Sequence, residues 1–232
     1  RKSKIGNLRP SLFAIALVSV VSGSLIWTLQ TGGKFLAPVG ASLAIWVILG
    51  TLSDINKRVK ILNGTLLNSL FRVVKIPRSE IGKSLAHVGF GLMVFGISAV
   101  TAWEVEDIRV ASINEPYEVQ NYTIELTKVS EFSVLNYVTR QGLILIKKDG
   151  RIVSTLFPEK RFYPVQSTTT TEASIDSSLF RDIYIVLGDK KGDDGWVIRT
   201  YVKPFIIWIW IGALFIAIGG FLSLTDRRYR LF

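Results

Sequence analysis

Leu85–Trp103 reads LAHVGFGLMVFGISAVTAW, an uncharged run whose one ionisable side chain is His87. An α-helix of this length measures ~29 Å, which matches the hydrocarbon core of a bilayer. Three more uncharged runs follow the same pattern: Leu12–Leu29, Phe35–Leu52 and Phe205–Leu224. Buried helices of a soluble protein are the alternative. Four of them in 232 residues would need a large soluble shell, and the chain has no length left to build one. The chain is 49% hydrophobic and 20% charged, with a mean hydropathy of +0.37. That balance is too apolar for an ordinary soluble domain and too polar for a chain lying wholly in lipid. With no cysteine, the chain has no disulfide, thiolate metal site or Cys nucleophile, and its single His excludes a His-rich metal site.

The net charge of +10 has a direction. The segments 1–9, 54–83 and 226–230 hold 14 of the 28 basic residues against only Asp54, Glu80 and Asp226. These segments share one side if all four runs span. By the bias of Lys and Arg toward the cytoplasm, that side is the inner one. Glu104–Lys203 on the other side carries 13 basic and 15 acidic residues, nearly neutral. The charge is a topology signal, and no nucleic-acid partner is expected. Arg1, Lys2 and Lys4 precede an apolar run, as in a signal peptide. The run is long, however, and no small-residue cleavage site follows. With Arg rather than Met at position 1, the chain is expected to be the C-terminal part of something longer.

Glu104–Lys203 reads as β structure. Gly142–Lys147 and Arg151–Phe157 are β-branched runs joined through Lys148-Asp149-Gly150, a strong hairpin signal. Tyr122–Val129, Asp182–Leu187 and Trp196–Val202 are further strand candidates, and the loop Gly188–Gly195 suits a hairpin tip. Barrel and sandwich fit equally. The sequon Asn121-Tyr122-Thr123 carries little weight, and Thr168–Thr171 suits an edge strand or loop.

The fold class is therefore an α-helical integral membrane protein: four transmembrane helices, with an all-β extracytoplasmic domain inserted between helices three and four. The expected parts are a membrane region 1–103, a β domain 104–203, and a fourth helix with a basic tail, 204–232. Within 54–83, Val59, Leu62, Leu66, Leu70 and Val73 recur at helical steps, which predicts an amphipathic helix on the membrane surface or on the protein's own inner face. Pro204 is read as opening the fourth helix, and Ala213 and Ala217, with Gly212, Gly219 and Gly220 nearby, as small residues that allow close helix packing. Trp27, Trp103, Trp208 and Trp210 form an expected interfacial belt.

An ionisable group inside the membrane is costly and marks a functional site by default. His87 lies ~9 Å along a helix taken from Ile81, in the inner half of the membrane. Gly91 is one turn further on the same face and leaves room for a flat ring. A neutral imidazole beside glycines suits axial ligation of haem iron. A histidine hydrogen-bonded to a neighbouring helix, or a proton relay, fits the spacing as well. Read without further information, the chain could be a haem-handling subunit, a docking scaffold, or a transporter or sensor subunit with an outer ligand domain.

Several ordered motifs carry a resemblance. They are Leu85-Ala86-His87-Val88-Gly89, Phe157-Pro158-Glu159-Lys160-Arg161-Phe162-Tyr163-Pro164, Thr170-Thr171-Glu172-Ala173-Ser174-Ile175-Asp176 and Phe180-Arg181-Asp182-Ile183-Tyr184. Leu187-Gly188-Asp189, Gly195-Trp196-Val197-Ile198-Arg199, Lys203-Pro204-Phe205 and Asp226-Arg227-Arg228 continue the series. Together, over roughly Ser79 to Arg230, the chain resembles the C-terminal part of the CcmF family. The resemblance implies a haem lyase that attaches haem to the Cys-x-x-Cys-His thiols of apocytochrome c. The haem substrate would come from the haem chaperone CcmE, and a CcmH-type subunit would present the apoprotein. It also implies a resident haem b held between two membrane histidines, one in the Ala-His-x-Gly context of His87. The setting would be the bacterial or mitochondrial inner membrane, with the β domain on the periplasmic or intermembrane-space side. The family's tryptophan-rich outer segment, outer histidines and second membrane histidine are absent here. The chain would then supply one axial ligand, the β domain and four helices to the remainder of CcmF, its N-terminal part. Lys160, Arg161 and Arg181 are candidates for haem propionates, or for salt bridges with Glu159, Glu172 and Asp176. No catalytic residue is assigned.

Overall fold

A computed structural model of the chain describes residues 9–59, 76–192 and 195–226, with residues 9 and 10 described by their backbone alone. The chain divides into two compact units, 1–103 with 205–232, and 104–204.

Among the described residues, the first unit holds four helices long and apolar enough to cross a membrane. They are α1 (Arg9–Leu29), α2 (Leu36–Val59), α3 (Arg78–Trp103) and α4 (Ile207–Leu224). Three outlast their uncharged runs: α1 begins at Arg9, ahead of Leu12. Asp54, Lys57 and Arg58 belong to α2, while Arg78, Glu80 and Lys83 belong to α3. A helix does not stop where lipid stops, because its backbone bonds are satisfied internally and long side chains carry their charge outward. Arg58 bridges Asp54 and Glu80, tying the two charged ends together. The amphipathic positions Leu62, Leu66, Leu70 and Val73 lie outside the described residues.

Apolar burial cannot hold helices together in lipid, so close backbone approach has to. Gly82, Gly89 and Gly96, seven residues apart, line the α3 face that meets α4, and Gly212 and Gly219 answer them. A Cβ on Gly89 would lie 2.6 Å from the Gly212 carbonyl oxygen, and one on Gly219 would lie 2.5 Å from that of Gly82. Of the small residues expected to pack, Gly212 and Gly219 lie in the seam, whereas Ala213, Ala217 and Gly220 are exposed, which corrects the expected spacing of the face. The helical period alone cannot choose between adjacent stripes of small residues. Both ends of α3 are tied to other elements. The Ser79 N–H donates to Asp226 Oδ2 at 3.0 Å, a cap reaching from beyond α4. At the far end the N–H groups of Thr31 and Gly32 both donate to the Ala102 carbonyl, and Trp103 Nε1 donates to the Leu29 carbonyl.

Pro204 closes a strand instead of opening α4. The turn follows at Phe205, whose φ of 55° is rare for a bulky residue. Its ring packs edge-on against Phe95 and Trp208, which holds it there.

The second unit is a sandwich of two antiparallel sheets, which decides between the two β architectures. Its strands are β1 (Val105–Ser112), β2 (Pro116–Val119), β3 (Tyr122–Val134), β4 (Tyr137–Lys148), β5 (Arg151–Leu156), β6 (Glu159–Tyr163), β7 (Thr168–Glu172), β8 (Ser174–Ser177), β9 (Arg181–Lys191) and β10 (Gly195–Pro204). One sheet has the order β1-β10-β9-β8. The other has β2-β3-β4-β6-β7, with β5 also pairing to β4. The five expected strands all occur, and most extend further. The β4–β5 turn carries positive φ at both Asp149 and Gly150, as its Asp-Gly sequence requires. Ile124, Leu126, Ile144 and Ile146 from one sheet meet Ile183, Ile185, Leu187 and Ile198 from the other, all fully buried. Each such side chain contributes about 1.5–3 kcal/mol on burial.

The seam sets a direct expectation. Gly89→Val should lower the detergent-solubilised melting temperature, at a cost of about 1–3 kcal/mol or more for overpacking. Gly220→Val, where a Cβ meets nothing within 4 Å, should be tolerated. Equal melting temperatures for the two variants would remove the seam from the account.

Candidate functional site

Three stripes of α3 have different neighbours. Gly82, Gly89 and Gly96 face α4. Gly91 and Ser98 face α2, where a Cβ on Gly91 would lie 2.5 Å from Ile48 and Ser98 Oγ approaches Gly40. Lys83, His87, Phe90 and Ile97 are exposed. His87 therefore sits on a face that no described element covers. The room expected beside Gly91 for a flat ring is filled by Ile48 and the Ala44 carbonyl. Gly91 is four residues from His87, but 40° of helical rotation is enough to move it onto the packed side. With α3 starting at Arg78, His87 lies ~14 Å along the helix, deeper than a start at Ile81 gives.

The imidazole is oriented. His87 Nδ1 lies 2.7 Å from the Lys83 carbonyl oxygen, one turn back. A carbonyl only accepts, so Nδ1 carries the proton and donates. Nε2 is left as the lone-pair nitrogen. A fixed tautomer with an outward lone pair, its other nitrogen bound to a backbone carbonyl, is the arrangement a metal-ligating histidine needs. Among the described residues, no cluster of three His, Asp or Glu side chains could hold a metal ion. His87 thus offers one coordination position, and an imidazole so held fits a haem iron.

The candidate cations of the β unit all have partners. Arg161 Nε donates to Glu159 Oε2 at 2.7 Å, and Lys160 pairs with Asp189. Arg181 binds Asp176 and donates to Tyr122 Oη at 3.0 Å. The salt-bridge reading holds for each, though Glu172 takes its bond from Thr170. Thr168–Glu172 is an edge strand. What the sequence leaves hidden is the focus of these contacts. Glu159 also accepts from Gln141 and from fully buried Thr139, while Arg161 lies over the Tyr137 ring, which packs on Tyr163. The pairing of Thr139 with Arg161 and of Gln141 with Glu159 across β4 and β6 gathers them on one face. Burial alone pushes the Glu159 carboxyl up. Its donors, Arg161 foremost, outweigh burial and hold it below the usual carboxylate range.

A carboxylate with a lowered native pKa stabilises the fold above its unfolded pKa, and that stability is lost as pH falls through the native value. Glu159→Gln should cost about 1–3 kcal/mol near neutral pH. The gap to the unsubstituted protein should close below about pH 4, near the ordinary Glu value. Denaturant unfolding followed by Trp fluorescence at both pH values measures it. A gap independent of pH would show that the carboxylate charge contributes nothing.

The β unit matches the family model described as the CcmF C-terminal beta-sandwich over residues 102–204. Cytochrome c-type biogenesis protein ccl1 of Rhodobacter capsulatus is 42% identical over 99% of this chain and 34% of its own length. Cytochrome c-type biogenesis protein CcmF of Haemophilus influenzae is 36% identical over 99% of this chain and 35% of its own. A solved structure titled Cytochrome c Heme Lyase CcmF superposes with a TM-score of 0.62 over 92% of this chain and 34% of that one. At 19% identity it shows the fold alone. The chain spans about a third of the length of the curated relatives it matches. It belongs to the CcmF family of cytochrome c-type biogenesis proteins and corresponds to their C-terminal part.

Proposed function

We propose that this chain supplies, through His87, one axial ligand of a membrane-embedded haem b, and that its β domain serves the covalent attachment of haem to apocytochrome c. One observation carries this reading. An imidazole inside a membrane-spanning helix is exposed on a face that no described element covers, with Nδ1 committed to the Lys83 carbonyl and Nε2 without a partner among the described residues. A polar nitrogen facing lipid is costly, and coordination removes the cost. The second axial histidine belongs to the remainder of CcmF. A b haem at this depth supplies one-electron chemistry, suited to keeping the incoming haem substrate ferrous. His87 is then a ligand and not a participant in thioether formation. The haem chaperone CcmE, a CcmH-type subunit and apocytochrome c are the partners this reading implies.

His87→Ala in the assembled protein should lose b haem and cytochrome c maturation at unchanged protein level, with partial rescue by added imidazole. His87→Met should keep some haem with an altered spectrum. Normal haem content in the Ala variant, by pyridine haemochrome, would make His87 a packing residue.

We further propose inner-membrane insertion with 54–83 inside and Glu104–Lys203 on the periplasmic or intermembrane-space face, supported by the basic bias of the inner segments. The chain has no native cysteine to interfere with labelling. A membrane-impermeant thiol reagent on sealed cells or mitoplasts should therefore label Asp149→Cys and spare Lys57→Cys. The reverse pattern would invert the topology.

A further inference from the structure

The exposed stripe of α3 is polar at one end and apolar at the other. Lys83 is one turn before His87, about 6 Å along the axis. Phe90 and Ile97, both about half exposed, follow His87 on the same stripe. Lys83 is the one cation on it, with its side chain 48% exposed. Its ammonium holds Glu80 Oε2 at 2.7 Å, and Glu80 is also bound by Arg58 Nη1 at 3.1 Å. Glu80 is thus not left unpaired when Lys83 turns to another anion, and an ammonium has three donors to share.

We propose that Lys83 binds a carboxylate of the tetrapyrrole whose iron His87 ligates, and so fixes which way that tetrapyrrole faces along α3. This rests on the reading of His87 as an axial ligand. Haem b is a flat amphiphile with both carboxylates on one edge and apolar substituents on the other. With its carboxylate edge toward Lys83, the charge meets a donor at the helix's charged end, and the apolar edge lies against Phe90 and Ile97. In the opposite orientation the carboxylates would lie beside two apolar side chains that donate nothing, and an unpaired charge there is strongly disfavoured. Lys83 is therefore a binding residue of the same site, contributed by the turn whose carbonyl orients His87.

The test uses the full assembled protein with its b haem bound. Two readouts are taken: the midpoint potential from a redox titration, and the rate of haem loss to excess apomyoglobin as scavenger. Lys83→Gln should lower the potential, because an unneutralised carboxylate favours ferric iron, and should speed haem loss about tenfold. Lys83→Met should do the same, and serves if the Gln variant accumulates poorly. Lys83→Arg should stay close to the unsubstituted protein. Glu80→Gln breaks the same ion pair from its other end and should move neither readout, as should Lys57→Gln on α2. Lys83→Gln behaving like Lys57→Gln, or Glu80→Gln reproducing the Lys83→Gln changes, would overturn the proposal while leaving His87 as ligand. Retention of b haem in His87→Ala would overturn both.

Discussion

Contact of backbone against backbone along Gly82, Gly89 and Gly96 is the constraint on which the membrane unit depends. Water drives no association inside lipid, so two helices join only where their surfaces fit closely enough for dispersion and weak Cα–H···O contacts to accumulate. Bare glycines bring α3 and α4 to distances no Cβ would permit. Once that seam is set, the rotation of α3 about its axis is set with it. Gly91 and Ser98 must then meet α2, and Lys83 and His87 must face outward. The position of the candidate ligand is thus a consequence of where the glycines are.

Much of the architecture was legible in the sequence because hydrophobic length and strict alternation are local signals. Leu12–Leu29 could only be a span or a core the chain is too short to clothe. Ile183, Ile185 and Leu187 alternate with Asp182, Tyr184 and Val186 and could only be a half-buried strand. The strands that escaped lack such a signal. Val105–Ser112 carries Glu106, Asp107 and Arg109, while Thr168–Glu172, four threonines and a glutamate, reads only as an edge strand or a loop. Both are edge strands, with one neighbour and little to bury. Pro204 was misread for a related reason. Proline is equally at home at a strand's end and at a helix's first turn, and only the turn at Phe205 decides between them.

The site was legible in part. The solitude of His87 among apolar residues announced it, since an ionisable group in lipid has to be explained. Gly91 was placed on the same face by counting in fours. An ideal helix drifts 40° over four residues, and here that drift separates an exposed stripe from a packed one. The tautomer of His87 depends on a carbonyl, which no side-chain pattern reveals. The cluster around Glu159 is held together by register across β4 and β6, in residues 18 and 20 apart. Only the pairing of strands brings them together.

A candidate ligand exposed on the outside of its own helix bundle is physically awkward in isolation, and the awkwardness is informative. Had His87 faced α2 or α4, its second nitrogen could have been satisfied within the chain, and coordination would have had to compete with that bond. Facing outward, Nε2 has no partner to give up among the described residues. The Lys83 carbonyl has already fixed the ring's hydrogen-bonding sense without using Nε2. Pre-orientation of this kind lowers the ordering cost of binding, because the rotamer and tautomer are chosen before the second half of the site arrives. The glycine seam and the intrahelical hydrogen bond thus act together. One turns the imidazole toward the side the described residues leave open, and the other keeps its lone pair available there.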